Sequence, residues 1–226
     1  MHIIAFANQK GGPGKTTLTM LTADELHRRG LKVLVIDTDS QASSHKWEVR
    51  TVANYAPVGF KVEHLSGLDQ QKFGQALAKR VNDSNYVLID TPPRLDSPEL
   101  FAALYVADLA VIPFVPDGAH TEALEEVVPL FAKVNDARTR DGSGPLAVRI
   151  LVNRHDSRRA GERTVAANAA EVTGFQCFRT MLGNWSAMQN AWNYHTSLST
   201  ITRPNDPARV AIAAVADEIL GVLNGH

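Results

Sequence analysis

Met1-His2-Ile3-Ile4-Ala5-Phe6-Ala7-Asn8-Gln9-Lys10-Gly11-Gly12-Pro13-Gly14-Lys15-Thr16-Thr17 opens the chain, and the order of its parts decides the fold. Residues 3–7 are apolar without alternation, the pattern of a strand covered on both faces. Residues 16–29 then carry helical spacing up to Gly30, which stands where a helix stops. Between them, Gly11, Gly12 and Gly14 lack side chains that would block the backbone amides. Successive N–H groups can therefore point at phosphate oxygens, aided by the positive end of the helix. Lys15 would set its ammonium on the outer phosphates and Thr16 its hydroxyl on Mg²⁺, with Thr17 completing the loop. Without the strand and the lysine, a glycine-rich turn is only a turn.

Four more apolar runs lie downstream, at 33–36, 87–89, 109–112 and 148–152, the last interrupted only by Arg149. Helical spacing recurs at 69–82, 97–106, 119–135, 160–173 and 207–223, with Ser97-Pro98-Glu99 offering a cap and a first-turn proline. This alternation predicts an α/β fold: a doubly wound, mostly parallel twisted sheet flanked by helices, with ligands beyond the carboxyl ends of the strands. The stretch Arg140-Asp141-Gly142-Ser143-Gly144-Pro145 is a surface loop rather than a boundary, so residues 1–226 are expected to form a single P-loop ATPase domain.

Two strands end in acids. Val87-Leu88-Ile89 runs into Asp90-Thr91-Pro92-Pro93, and a carboxylate fixed by a buried strand can hold Mg²⁺ directly or through water. Val33-Leu34-Val35-Ile36 runs into Asp37-Thr38-Asp39-Ser40-Gln41, which puts two carboxylates at the same mouth. Asp37 could equally cap the next helix.

The turn departs from the common phosphate loop: Gln9 stands where the first glycine is usual, and a second lysine, Lys10, lies upstream. In this it resembles the deviant Walker A loop of the ParA/MinD ATPases. The resemblance implies that Lys10 reaches the ATP of a second subunit, so that two chains sandwich two nucleotides; a solvated loop lysine is the plain alternative. It further implies that Asp39 orients or activates the attacking water, that Asp37 supports the metal, and that Asp90-Thr91-Pro92-Pro93 is a second switch. Ser40 replaces the proline usual in that family's first switch. Asn153, after the strand at 148–152, becomes a candidate adenine contact, Arg154 a candidate stacking partner for the base, and Pro204 a candidate for a loop beside it. An asparagine-containing turn accounts equally well for Asn153.

By the same resemblance, the ATP-bound homodimer binds DNA without sequence preference, and a ParB-like or cargo-adaptor protein stimulates hydrolysis. The expected role is segregation of plasmid or chromosomal DNA, or positioning of protein cargo, in the cytoplasm on the nucleoid. Arginines crowd residues 138–179, and Arg149, Arg158, Arg159, Arg163 and Arg179 are the candidate phosphate contacts, against the alternative of a scattered solvated set.

Bulk composition fits this. Twenty-three basic and twenty-four acidic residues leave a net charge of -1, so nucleic acid would need a local patch or an assembled state. The hydrophobic share of 44% supports a packed core. A single Cys177, in a segment with strand character, suits a reducing compartment and cannot supply the two thiolates per chain of a cluster-bridging electron-transfer ATPase. A MinD-type membrane-associated positioning ATPase is the alternative, but the final helical segment carries acids and ends in Gly-His, poor material for an anionic surface. A metabolic ligase or tyrosine kinase could use the same scaffold. The eight histidines show no metal-ligand spacing, and Trp47, Trp185 and Trp192 are expected to pack, the last two on one helix face.

Overall fold

The computed structural model describes residues 1–8, 12, 14–49, 58–81, 83–116, 118–156, 158 and 164–225; Lys10, Gly11, Pro13, Arg159 and Arg163 lie outside them. Among the described residues seven strands form one sheet: β1 (His2–Phe6), β2 (Val33–Asp37), β3 (Lys61–His64), β4 (Tyr86–Asp90), β5 (Leu109–Phe114), β6 (Ala147–Val152) and β7 (Gln176–Cys177). Their order is β3-β2-β4-β1-β5-β6-β7, and every pair is parallel. β1 is central, and the chain winds outward from it in both directions. Such a switch in strand order opens a crevice at the carboxyl ends.

Period-two geometry sends successive side chains to opposite faces. On one face Ile3, Ala5, Leu34 and Ile36 pack under α3 (Gln70–Ala78), α4 (Pro98–Val106), α5 (Gly118–Arg140) and α6 (Val165–Thr173). On the other, Ile4, Phe6, Val33 and Val35 meet α1 (Lys15–Arg28), α2 (Ser43–Val49), α7 (Ser186–Tyr194), α8 (Leu198–Ile201) and α9 (Pro207–Leu223). Because both faces are covered, β2 and β5 bury every residue, which is why they read as unbroken apolar runs.

Local chemistry sets the ends of the helices. Ser97 accepts from the Leu100 amide with Pro98 in the first turn, and Asp206 caps α9 in the same manner ahead of Pro207. Gly30, at φ 83, closes the turn after α1. α5 runs through Pro129 to Arg140, five residues past the sequence expectation. Arg138 explains the extension: its guanidinium donates to the carbonyls of Tyr105, Ala107 and Gly144, tying the last turn to the end of α4. Helical spacing predicts a helix over 160–173; residues 160–163 lie outside the described ones, and α6 is described from Val165. Cys177 does lie in a strand, half-buried, its thiol donating to the Ala166 carbonyl.

Candidate functional site

β1 ends beside β4 and β5, and three bonds fix the start of the turn that follows. The Ala7 amide donates to the Val111 carbonyl, the buried Asn8 side-chain amide to Pro113, and the Thr91 hydroxyl to Phe6 at 2.6 Å. Gly12 and Gly14 both take left-handed φ values, 98 and 94. Gly14 is also sterically required, since a Cβ there would lie 2.8 Å from the Asn153 side-chain nitrogen. No side chain caps the N-terminus of α1. Its first turn opens on a cavity of about 340 Å³ lined by Gly12, Gly14, Lys15, Thr16 and Thr17, with Asp39, Thr91 and Pro93 opposite. This end of the helix therefore presents backbone donors and positive dipole to whatever enters. Lys15 is buried beside it. Desolvation lowers its pKa, opposed by the charges of Asp90 and then Asp39.

Asp37 and Asp90 close β2 and β4 and are register partners on neighbouring strands. Asp37 is fully buried and accepts from the amides of Asp39 at 3.1 Å and His45 at 3.0 Å. Burial raises its pKa against those bonds. Asp90 accepts from the Ser44 hydroxyl at 2.7 Å and also from the Thr16 hydroxyl. Its pKa is pushed up to about 7, by desolvation first and then by the charge of Asp37. One Asp90 oxygen, Oδ1, is buried without a partner.

An orphaned carboxylate oxygen beside a threonine hydroxyl and a second acid is a set of hard oxygen donors, and it fits Mg²⁺. Among the described residues no cluster of three His, Cys, Asp or Glu side chains could cage a metal. Asp37, Asp90 and Thr16 would thus leave the ion's remaining positions to phosphate oxygens and water, as Mg²⁺ prefers.

Asp39 begins a short loop whose shape is set by its own polar groups. Its carboxylate accepts from the Gln41 amide at 2.9 Å and its carbonyl from the Ala42 amide, with Ala42 at φ 51. From the end of β3, His64 Nε2 meets the same carbonyl at 2.9 Å, and a carbonyl can only accept, so Nε2 carries the proton. α2 starts immediately after this loop.

A second cavity joins the first. Gly14, Thr17 and Leu18 form one wall, Asn153 and Arg154 the end, and Gly183, Asn184, Trp185, Met188, Gln189 and Trp192 the other wall. Asn153 is buried, its amide donating to Phe114 and its side-chain oxygen accepting from Arg154. Arg154 is exposed, at φ 57. Pro204 is exposed in the turn between α8 and α9 and lines neither cavity; the segment from Gly183 to Trp192 stands there instead. Trp47 is a packing residue, 2% exposed. Trp185 is the cap residue before α7 and Trp192 lies in its last turn; both line the second cavity, and Trp192 the first as well.

Of the candidate DNA contacts, the described Arg149, Arg158 and Arg179 line neither cavity. Arg149 lies half-buried within β6 and donates to the Val148 carbonyl. Arg158 is exposed and pairs with Asp156 at 2.8 Å. Arg179 is exposed after β7, where its amide donates to Glu218.

Sequence reading missed Ser44, His64, Gln189 and the cavity-lining role of Trp185 and Trp192. Ser44, His64 and Trp192 make contacts between elements distant in the chain, with Asp90, Asp39 and Trp47, and only the Trp spacing carried any local signal.

A family model described as the CobQ/CobB/MinD/ParA nucleotide binding domain matches residues 4–187, and the chain belongs to that family as a ParA/MinD-type ATPase. Maintenance of carboxysome distribution protein A of Gloeobacter kilaueensis is 30% identical over 190 residues, 84% of this chain and 80% of the relative. The chromosome-partitioning ATPase Soj of Thermus thermophilus is 29% identical over 96% of this chain and 94% of its own length. Among solved structures, the MinD cell division protein of Aquifex aeolicus superposes with a TM-score of 0.76 at 20% identity, covering 98% of this chain and 97% of that one. Cobyrinic acid a,c-diamide synthase of Mycobacterium smegmatis, solved with an ATP analogue and magnesium, gives 0.76 at 19% identity over 100% and 97%. At these identities the superpositions speak for the fold.

Proposed function

We propose that the chain is a Mg²⁺-dependent ATP hydrolase that forms an ATP-bound homodimer, is held on DNA without sequence preference, and partitions DNA or positions protein cargo. A ParB-like or adaptor protein would stimulate hydrolysis and release. The observation that carries this is one cavity lined at once by the phosphate-binding turn, Lys15 and Asp39, with the Asp37–Asp90 pair behind it. The family membership and the names of the two relatives support the same reading.

In this mechanism Gly12, Gly14 and the first turn of α1 hold the phosphates with backbone N–H groups, and Lys15 neutralises the outer ones. Thr16, Asp37 and Asp90 hold Mg²⁺, which when bound neutralises charge developing on the phosphoryl oxygens. Asp39 orients the attacking water. Asn153 and Arg154 take the adenine end, and Lys10 completes the partner's site. Arg149, Arg158, Arg159, Arg163 and Arg179, doubled by dimerisation, would neutralise DNA phosphates with a steep salt dependence. The whole chain is read as one P-loop ATPase unit acting in the cytoplasm on the nucleoid.

No observation favours the membrane reading: no helix among the described residues is long and apolar enough to cross a bilayer, and α9 spends Ala208, Ile212, Val215, Ala216 and Ile219 in the core. The deciding experiment is the Asp39→Ala protein loaded with Mg²⁺ and ATP. It should run as a dimer by light scattering and stay on DNA at low salt. A monomer that ignores DNA refutes the proposal.

A further inference from the structure

Five residues line both cavities: Gly14, Thr17, Arg154, Gln189 and Trp192. Trp192 is the large planar one among them, so its indole stands where the phosphate end gives way to the base end. It does not stand alone. Trp47 of α2 meets it edge-on, with ring centroids 5.3 Å apart and planes at 84°, and Trp47 also meets His195 at the end of α7 at 6.1 Å and 83°. An aromatic pair in that geometry holds both rings in place.

The helix that carries Trp47 begins on the carboxylates. Ser44, one turn before Trp47, donates its hydroxyl to Asp90, and the His45 amide donates to Asp37. α2 is thus fastened at one end to the acid pair and braces, one turn later, the side chain that borders the base cavity. At the far end of that cavity the Trp185 indole lies against Gly183, where a Cβ would come within 2.6 Å of the ring. Glycine at 183 is what lets the indole lie there.

We propose that Trp192 is a specificity-determining residue against which a planar heteroaromatic base is seated, and that Trp47 is the positioning residue that holds it there. The proposal rests on the nucleotide reading of the crevice and adds the wall that selects a base over a bare polyphosphate. The ligand chemistry follows from the lining, in which Leu18, Trp185, Met188 and Trp192 stand among polar groups such as Thr17 and Gln189, a mixture suited to an aromatic ring with polar edges.

Titration calorimetry with Mg²⁺ and either ATP or inorganic triphosphate separates the contributions, because only ATP presents a base. Trp192→Ala should weaken ATP about tenfold, the factor expected from one base–aromatic stack, and leave triphosphate unchanged. Trp47→Ala should weaken ATP alone, Trp47→Phe should restore it, and the Trp47→Ala/Trp192→Ala pair should bind ATP no more weakly than Trp192→Ala. Equal loss for both ligands, or additive losses in the pair, overturns the proposal. In the unmodified protein, ATP should shift tryptophan emission and triphosphate should not; identical responses to the two ligands also overturn it, whether or not the variants fold. Wild-type protein that binds triphosphate as tightly as ATP sinks the base wall and leaves the phosphate site standing. Wild-type protein that binds neither sinks the nucleotide reading itself.

Discussion

Replacing Asp90 with asparagine should stabilise the nucleotide-free protein while abolishing its Mg²⁺-dependent chemistry. Asp90 is 1% exposed, faces the Asp37 charge from the neighbouring strand, and has one oxygen with no partner. Its pKa rises from 3.8 to about 7. A carboxyl whose folded pKa lies above its unfolded value binds its proton more tightly in the folded state. Its contribution is therefore most favourable below pH ~4 and is lost as the pH climbs to ~7. Three units at 1.36 kcal/mol each set a ceiling of about 4 kcal/mol; because Asp37 shares the proton, about 2–4 kcal/mol is the expected range. Asparagine keeps an acceptor for the Ser44 hydroxyl and carries no charge. Urea denaturation in EDTA should find Asp90→Asn more stable than wild type by that amount at pH 8. The gap should close by about 1.4 kcal/mol per pH unit below 7.

Binding of Mg²⁺ should run the opposite way. The metal needs the ionised carboxylate, so wild-type affinity should fall about tenfold per unit below pH 7 as the proton competes. Phosphate release by Asp90→Asn should be at background whatever the Mg²⁺ concentration. A variant less stable than wild type at pH 8, or a gap that ignores pH, would refute the picture of a frustrated acid waiting for a cation.

Gly14→Ala meets both a left-handed φ of 94 and the Asn153 nitrogen at 2.8 Å, whereas Gly12→Ala at φ 98 meets nothing within 4 Å. Denaturation should find the second costing about 1–2 kcal/mol and the first distinctly more, with ATP binding lost in calorimetry; equal costs would deny the close approach. His64→Ala removes the side chain that holds the Asp39 carbonyl at 2.9 Å. Hydrolysis should slow about fivefold with ATP affinity unchanged, and His64→Gln should recover part of the rate; a parallel loss of affinity would place His64 elsewhere. Asp24, half-buried in α1, has its pKa raised to about 6 by burial and then by Glu25, against Arg28 and Arg209. Asp24→Asn should stabilise by about 1–3 kcal/mol at pH 8, allowing for partial solvent screening, with the gap vanishing below pH ~4; destabilisation at pH 8 would mean that its pairing with Arg209 dominates.

The parallel sheet was legible because its strands are buried on both faces and read as unbroken apolar runs, most plainly Val33–Asp37 and Leu109–Phe114. The glycine turn after β1 and the acids at the ends of β2 and β4 were legible because their sequence signals are local. β3 was not: of Lys61-Val62-Glu63-His64 only Val62 is buried, since the strand lies at the sheet edge and shows no core pattern. α2 and α7 were only hinted at, by Asp37 as a cap for the next helix and by the spacing of Trp185 and Trp192. Both are short, and both owe their places to contacts with residues far off in sequence, Ser44 with Asp90 and Trp192 with Trp47. Which residues line a cavity is a matter of tertiary packing: Pro204 lines neither cavity, whereas residues 183–185, 188, 189 and 192 line the second.

The acid pair and the tryptophan pair belong to one design. Parallel pairing of β2 with β4 forces Asp37 and Asp90 side by side at the mouth of the sheet, an arrangement that costs stability for as long as no cation bridges them. α2 exists where it does because its first residues satisfy those acids: the Ser44 hydroxyl and the His45 amide are spent on them rather than on water. The Ser44 hydroxyl donates to Asp90 Oδ2 while Oδ1 has no partner, so a cation held on Oδ1 would share its carboxylate with the bond that anchors α2. Trp47 sits one turn along that helix against Trp192. Trp47 thus links the anchored start of α2 to a side chain at the junction of the two cavities, through a contact that a single substitution at residue 47 can cut.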